Sequence, residues 1–591
     1  MKSLGLMPRL RRATSSLGYF ALFFVLLLAP YAWAFNAIGV RAWFRGLAAD
    51  SMYYLAIANN WNTLGFPTFD WVEPSTGFHP LWMLLLVALL KWTRVPFQAQ
   101  VFVALAACLL CLSVGLTLAH RALSWKLESS TKRILLAVSF FPGLYAITLE
   151  PVTAHALSVD PGILYRVIPW SAMDGMESSL TLLLQATFVV FAFSASGSPY
   201  LGSPDASRRC LWLSIPLALV VLARIDDFIF VGAMGLPLLT SRTLTCRQRV
   251  ARAWRLFAIP VAVALLYFLV LKLYGGLWLP TSATQKGGWH IAFNWDALRS
   301  LLALRSHWWA PLAVRLLPLL FSVIVGGSML ALALVRRRRA EPADSESVTL
   351  HELTIALAGY ALAKAFFIFC FVNVWGQGYW YFHAIVLWTN GLAGMWIVRT
   401  AVTRASAARV SLVGTGAVAL ASMLQVAFLL SGPKEGYARA SFVLWLHGEE
   451  IRTDLLRLDP EARIVDNLDG VYAYFLRLPA ESVTGLVSGR ASLERRARVG
   501  LYKSLVERGY TLFPMPEGDR APGYRDPARD GQECTPVYKH EASQLRFCRL
   551  GTGAAHLSPQ NRPGKHQARE QRFVGDGILH PGERELGLRR S

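Results

Sequence analysis

The sequence predicts an all-α polytopic membrane protein of about eleven (11–13) transmembrane helices, followed by a small extracytoplasmic α/β domain. Three observations predict it. The 591 residues are 54% hydrophobic and only 16% charged, more apolar than a soluble core of this length needs. Apolar runs long enough to cross ~30 Å of hydrocarbon recur through residues 1–431. Lys and Arg fall in blocks between those runs, the pattern of short loops retained in the cytoplasm.

The first run, Leu17 to Phe35, ends in the bulky stretch LAPYAWAF, which lacks a clean small-residue cleavage site. It is read as a retained span. Further spans are expected at 97–119, 134–150, 179–195, 256–273, 312–335, 352–372, 382–398 and 410–431. Residues 80–93 are short for a span. Residues 211–240 form a long run interrupted by Arg224, Asp226 and Asp227, which is either one broken span or two short helices meeting at a polar tip.

The basic blocks favour one of these arrangements over the other, in which 80–93 crosses, 211–240 crosses once and the Arg121 to Arg133 block falls outside. The blocks comprise Lys2, Arg9, Arg11 and Arg12; Arg121, Lys126, Lys132 and Arg133; Arg242 to Arg255; Arg336 to Arg339; and Arg399, Arg404 and Arg409. If 80–93 lies in the interface or re-enters and 211–240 is a helical pair, every block is cytoplasmic. The amino terminus is then inside, and the last 160 residues lie outside. A net charge of +22 distributed in this way describes membrane topology, so no nucleic-acid partner is expected.

Composition changes after residue 431. ARIVDNLDGVYAYF reads as a strand, a turn at Asn467 to Gly470 and a second apolar element, and residues 493–509 read as helix. The division expected is a membrane domain, 1–431, with its first outer loop at 36–79; an α/β domain, 432–551; and a polar, disordered tail, 552–591. Cys534 and Cys548 fall in the outer domain, where an oxidising compartment permits a disulfide. The other five cysteines lie in or beside spans and read as small apolar residues.

The outer loops hold a set of polar segments: Asp50; EPSTGFHPLW from Glu73 to Trp82; DGMESS from Asp174 to Ser179; ARIDD at its Arg224 to Asp227; LPTSATQK from Leu279 to Lys286; and WGQGYWYFH from Trp375 to His383. Each has an ordinary reading alone. Asp50 and Glu177 suit helix caps, His79 a turn before proline, Arg224 with Asp226 an ion pair, Lys286 a snorkelling residue, and Tyr379 to Tyr381 an aromatic belt. Ionisable groups near a bilayer are costly, so several converging on one face point to a site.

Their order along the chain resembles the bacterial C-type (GT-C) glycosyltransferases: a first span, an outer loop with Asp followed by aromatics, G-x-HPLW downstream, and GME opening a later span. ARID, LPTSATQK and YWYFH extend the likeness, which covers roughly residues 15–430. It implies a transferase of the bacterial inner membrane whose site faces away from the cytoplasm and whose donor sugar rides on a polyprenyl phosphate. Relatives commonly have two adjacent acids where this chain has Asp50 and Ser51, and an Arg in the segment that here reads YWYFH.

Such chemistry needs a base for the acceptor proton and cations for the leaving phosphate. Asp50 is the candidate base, and Arg224 and Lys286 the candidate phosphate ligands. Tyr53, Tyr54, His79, Trp82, Glu177, Asp226 and Tyr379 are candidates for substrate contacts, with Trp61 and Trp71 as further faces for a sugar. A divalent metal, if used, has Asp50, Asp70, Glu73 and His79 as candidate ligands. The acceptor is a glycan, a lipid or a protein. The rival readings are a transporter or lipid flippase and an inactive scaffold. The sequence has no P-loop, dinucleotide fingerprint or nucleophile elbow.

Overall fold

The computed structural model describes residues 6–48, 50–124, 127, 129–141, 147–148, 164–165, 169–193, 206–241, 244–286, 309–339, 345–371, 381–400, 404–431, 437–468, 470–515, 527, 532–541 and 545–551. It divides into two compact units. The first comprises Met1–Leu55, His79–Leu269 and Ile291–Phe442; the second comprises Ala56–Phe78, Val270–His290 and Val443–Ser591.

The first unit is helical. Its elements are α1 (Leu6–Ile38), α2 (Arg41–Gly46), the start of α3 (Asp50–Leu64), α4 (Pro80–Thr93), α5 (Gln100–Leu123), α6 (Ser130–Val138), α7 (Ser178–Phe193), α8 (Ala206–Ala223), α9 (Phe228–Met234), α10 (Leu236–Thr240), most of α11 (Cys246–Gly275), α13 (Trp309–Arg339), α14 (Ser345–Phe371), α15 (His383–Thr400), α16 (Arg404–Ser431) and the start of α17 (Tyr437–Leu458). Helix α12 (Thr281–Lys286) belongs to the second unit.

Among the described residues, four helical segments are long and apolar enough to cross a membrane: Ser15–Ile38, Phe97–Leu123, Cys246–Gly275 and Val348–Ile368. Several bear large apolar side chains on their outsides. On α11, Trp254 is 73% exposed and Leu273 76%, a surface whose natural solvent is lipid. The protein is a multi-pass membrane protein by this surface. Inside the bundle, Gly115 of α5 lies against the backbone of α7, where a Cβ would come within 3.1 Å of the Leu183 nitrogen. Small residues permit such close helix approach.

The two ambiguous regions resolve at the level of helices. Residues 80–93 form α4, with Pro80 at its first turn and Arg94 in the left-handed region closing it. Residues 211–240 form α8, a single 3₁₀ turn at Ile225–Asp227, then α9 and α10. One expected span is corrected. The run 134–150 does not continue as a helix: α6 stops at Val138, and β1 (Ile147–Thr148) pairs antiparallel with β2 (Leu164–Tyr165). Pro142 and Gly143 follow in the sequence, and a helix rarely persists into such a pair.

The second unit carries a five-stranded sheet in the order β4-β3-β5-β7-β6, from β3 (Ile464–Asp466), β4 (Ala480–Ser482), β5 (Leu512–Met515), β6 (Cys534–Lys539) and β7 (Arg546–Leu550). β3 runs parallel to β4 and β5, while β7 is antiparallel to β5 and β6. The strand, turn and apolar element expected at 463–476 are present as β3 and α18 (Val471–Leu476). The helix expected at 493–509 is two helices, α19 (Arg490–Val499) and α20 (Leu501–Glu507), because Gly500 takes φ +85°. Val465, Leu505, Tyr510, Phe513 and Cys548 form the core, and Cys534 and Cys548 are joined in a disulfide.

Candidate functional site

The first unit buries a connected group of charges at helix ends. Gly175, at φ +83°, makes the turn that precedes α7, and a Cβ there would stand 2.8 Å from the Ser51 Cβ. Only glycine permits so close an approach, and the start of α3 rests on this turn through Ala48 N–H donating to the Asp174 carbonyl at 2.9 Å. The turn sets Glu177 at the entrance of α7, fully buried.

Glu177 has three partners. Its Oε1 accepts from Arg224 Nη1 at 3.2 Å and lies 3.4 Å from His79 Nε2. Its Oε2 accepts from the Tyr54 hydroxyl at 3.1 Å, and that hydroxyl accepts from the His79 backbone N–H at 3.2 Å. Tyr54 stands four residues after Asp50, the first residue of α3, so the two share a helix face one turn apart. Asp50 is half-buried.

The break between α8 and α9 supplies the rest. Arg224 leaves the helix in an extended conformation (φ −158°, ψ 110°) before the 3₁₀ turn. Its Nε donates to Asp226 Oδ1 at 2.9 Å, and its guanidinium lies 4.6 Å from the centre of the Tyr381 ring. From α14, Lys364 Nζ reaches Asp226 Oδ2 at 2.5 Å and Asp227 Oδ1 at 2.8 Å. Asp227 also accepts from the Tyr360 hydroxyl at 3.0 Å and from Gln185 Nε2 at 3.2 Å, and Trp388 Nε1 donates to the Gln185 oxygen at 2.8 Å.

Sequence reasoning thus singled out Asp50, Tyr54, His79, Glu177, Arg224 and Asp226, which meet here or stand on an element that enters the group. Tyr53 is buried beside Tyr54. Trp82 is fully buried, with its Nε1 donating to the Gly175 carbonyl at 3.2 Å, so it braces the turn. Tyr379 lies outside the described residues, while its neighbour Tyr381 lies under the Arg224 guanidinium. Lys364, Asp227's partners and Tyr360 were missed. A lone lysine in the apolar run 352–372 was the available signal.

The second unit holds the remaining candidates. Asp70 and Glu73 both accept from Arg508 Nη2, at 2.7 and 3.0 Å, and Arg508 Nη1 donates to buried Glu481 at 2.5 Å. Glu481 further accepts from Arg496, Ser488 and Ser492. Where the sequence raised a divalent ion for Asp70 and Glu73, the cation beside them is a guanidinium. Burial pushes the Glu73 carboxyl above its ordinary value, and Arg508 pulls it part of the way back. Lys286 closes α12. A cavity of about 400 Å³ in this unit is lined by Trp71, Arg452, Arg463 and Arg477 among others, with Trp71 held at φ +67° and 38% exposed.

No family model matches the sequence, and no curated protein matches it. Solved structures are similar in shape. ArnT from Cupriavidus metallidurans bound to undecaprenyl phosphate is 14% identical with a TM-score of 0.48, the match covering 92% of this chain and 99% of that one. The apo oligosaccharyltransferase of Archaeoglobus fulgidus is 12% identical with a TM-score of 0.46, covering 85% of this chain and 69% of that one.

Proposed function

We propose that the chain is a GT-C-type glycosyltransferase that moves a sugar from a polyprenyl-phosphate-linked donor to an acceptor hydroxyl on the extracytoplasmic side of a bacterial inner membrane. The observation that carries this reading is the buried group Glu177–Arg224–Asp226–Lys364, tied through Tyr54 to the helix that Asp50 begins. An apolar pairing of the same volume is often as stable as a buried ion pair or more so. Carboxylates and an arginine at helix ends, met by Lys364 from within α14, therefore mark a site more readily than a scaffold.

In this reading Asp50 takes the proton of the acceptor hydroxyl as its oxygen bonds to the anomeric carbon. The bond from that carbon to the phosphate oxygen breaks, and polyprenyl phosphate leaves. Arg224, fixed by Glu177 and Asp226, supplies positive potential for the phosphate. Tyr54 and His79 orient the reacting groups.

Reconstituted protein supplied with a polyprenyl phosphate sugar and a mixture of envelope acceptors tests the class. Acceptor-dependent release of polyprenyl phosphate is expected. Movement of the intact donor between leaflets without release would support the transporter reading, and neither would support an inactive scaffold.

A further inference from the structure

We propose that the second unit contains a divalent transition-metal site, suited to Zn²⁺, formed by His447, Glu450 and His540, which fastens the terminal β-hairpin to α17. His447 and Glu450 stand one turn apart on α17 (i, i+3), and His540 follows β6 directly. Glu450 Oε2 lies 3.4 Å from His447 Nδ1 and 3.2 Å from His540 Nε2, and the three ligand atoms are all within 4.8 Å of one another.

The two separations from Glu450 match those between ligands of one ion, and the 4.8 Å that contains all three atoms leaves room for it. A charge-assisted N–H to carboxylate bond closes to about 2.7–2.9 Å. With Zn–N and Zn–O bonds near 2.0–2.2 Å, two ligands of a tetrahedral ion are about 3.3–3.5 Å apart. The two imidazoles face the same oxygen, with ring centres 5.0 Å apart. Two imidazoles and one carboxylate are a donor set for Zn²⁺ and its neighbours, not for Mg²⁺ or Ca²⁺. His540 is buried while Glu450 is 62% exposed along its side chain, so water can complete the fourth position.

The surroundings hold the ligands in place. The Tyr538 hydroxyl donates to Asp454 Oδ2 at 3.0 Å, one turn further along α17. The Cys534–Cys548 disulfide and the backbone bond from His540 N–H to the Leu545 carbonyl at 2.9 Å fix the hairpin that presents His540. Neither Asp50 nor the Glu177 group enters the proposal, so it stands or falls apart from the transferase reading.

The test uses the full-length chain, purified in detergent without a polyhistidine tag, stripped with chelator and titrated with Zn²⁺ and with Co²⁺. Wild type is expected to bind one equivalent, to show the visible absorption of tetrahedral Co²⁺, and to gain amide-exchange protection at 534–540 and 445–454 on binding. The His447→Ala/His540→Ala variant is expected to lose all three. Glu450→Gln, which preserves shape, is expected to weaken binding by tenfold or more. Equal metal content in wild type and the double variant, or no binding by correctly folded wild type, would overturn the site.

Discussion

Lys364 shows how much a single side chain does here. It is 2% exposed and is shared by Asp226 and Asp227, so its removal leaves two carboxylates facing each other without their ammonium. Breaking a buried pair on one side costs about 3–5 kcal/mol. Lys364→Met is therefore expected to lower the thermal midpoint in detergent by several degrees, and adding Asp227→Asn to that variant is expected to recover part of the loss; a midpoint equal to wild type would contradict the pairing. At this scale the sequence was legible for residues beside turn-forming glycine and proline, such as Glu177 and His79. It was mute about partners 130 or more residues apart, such as Tyr360 and Asp227, because nothing local records which helices pack together.

Helix and strand boundaries follow the same logic. The break at Arg224 to Asp227 was readable because charges interrupt an apolar run, whereas the stop of α6 at Val138 falls before the Pro142–Gly143 pair that signals it, inside a run that stays largely apolar through Phe141. In the second unit Gly77 lies against the 486–487 segment so closely that a Cβ would stand 1.8 Å from the Leu486 carbonyl oxygen. Ser75 Oγ also donates to the Val487 carbonyl at 2.8 Å. Gly77→Ala is expected to push that segment away and to speed amide exchange in 70–77 and 483–489, and unaltered exchange would contradict the contact. Asp466 serves the turn between β3 and α18, accepting from the N–H groups of Leu468, Gly470 and Ala473. Burial nevertheless pushes its carboxyl up to about 6. Because the folded value exceeds the ordinary ~3.9, its contribution to stability is full below pH ~4 and is lost as pH rises through 6. Asp466→Asn does not titrate. The opening free energy of 464–476 in wild type, relative to that variant, is thus expected to fall by on the order of 2 kcal/mol between pH 4 and 6.5, and a difference independent of pH would contradict the shift.

Among the described residues, the lipid-facing bundle buries the group around Glu177, Arg224 and Lys364, and the second unit holds a set of ion pairs built on Arg508. The apolar character of the chain was plain from composition, since exposed leucines and tryptophans on α11 need lipid around them. The assignment of Asp70 and Glu73 to Arg508 was not readable, because the partner lies more than 430 residues away. The basic blocks give the expected sidedness: an impermeant thiol reagent applied to intact cells is expected to label a cysteine at 50 but not one at 338, and labelling of both from one side would contradict the topology. The claim on which the account turns is that Asp50 accepts the acceptor's proton. Its most direct test is the rate of acceptor-dependent polyprenyl phosphate release by Asp50→Asn, at a thermal midpoint matching wild type. A fall of 10²–10⁴-fold is predicted for loss of a general base, and a variant that turns over at the wild-type rate would contradict it.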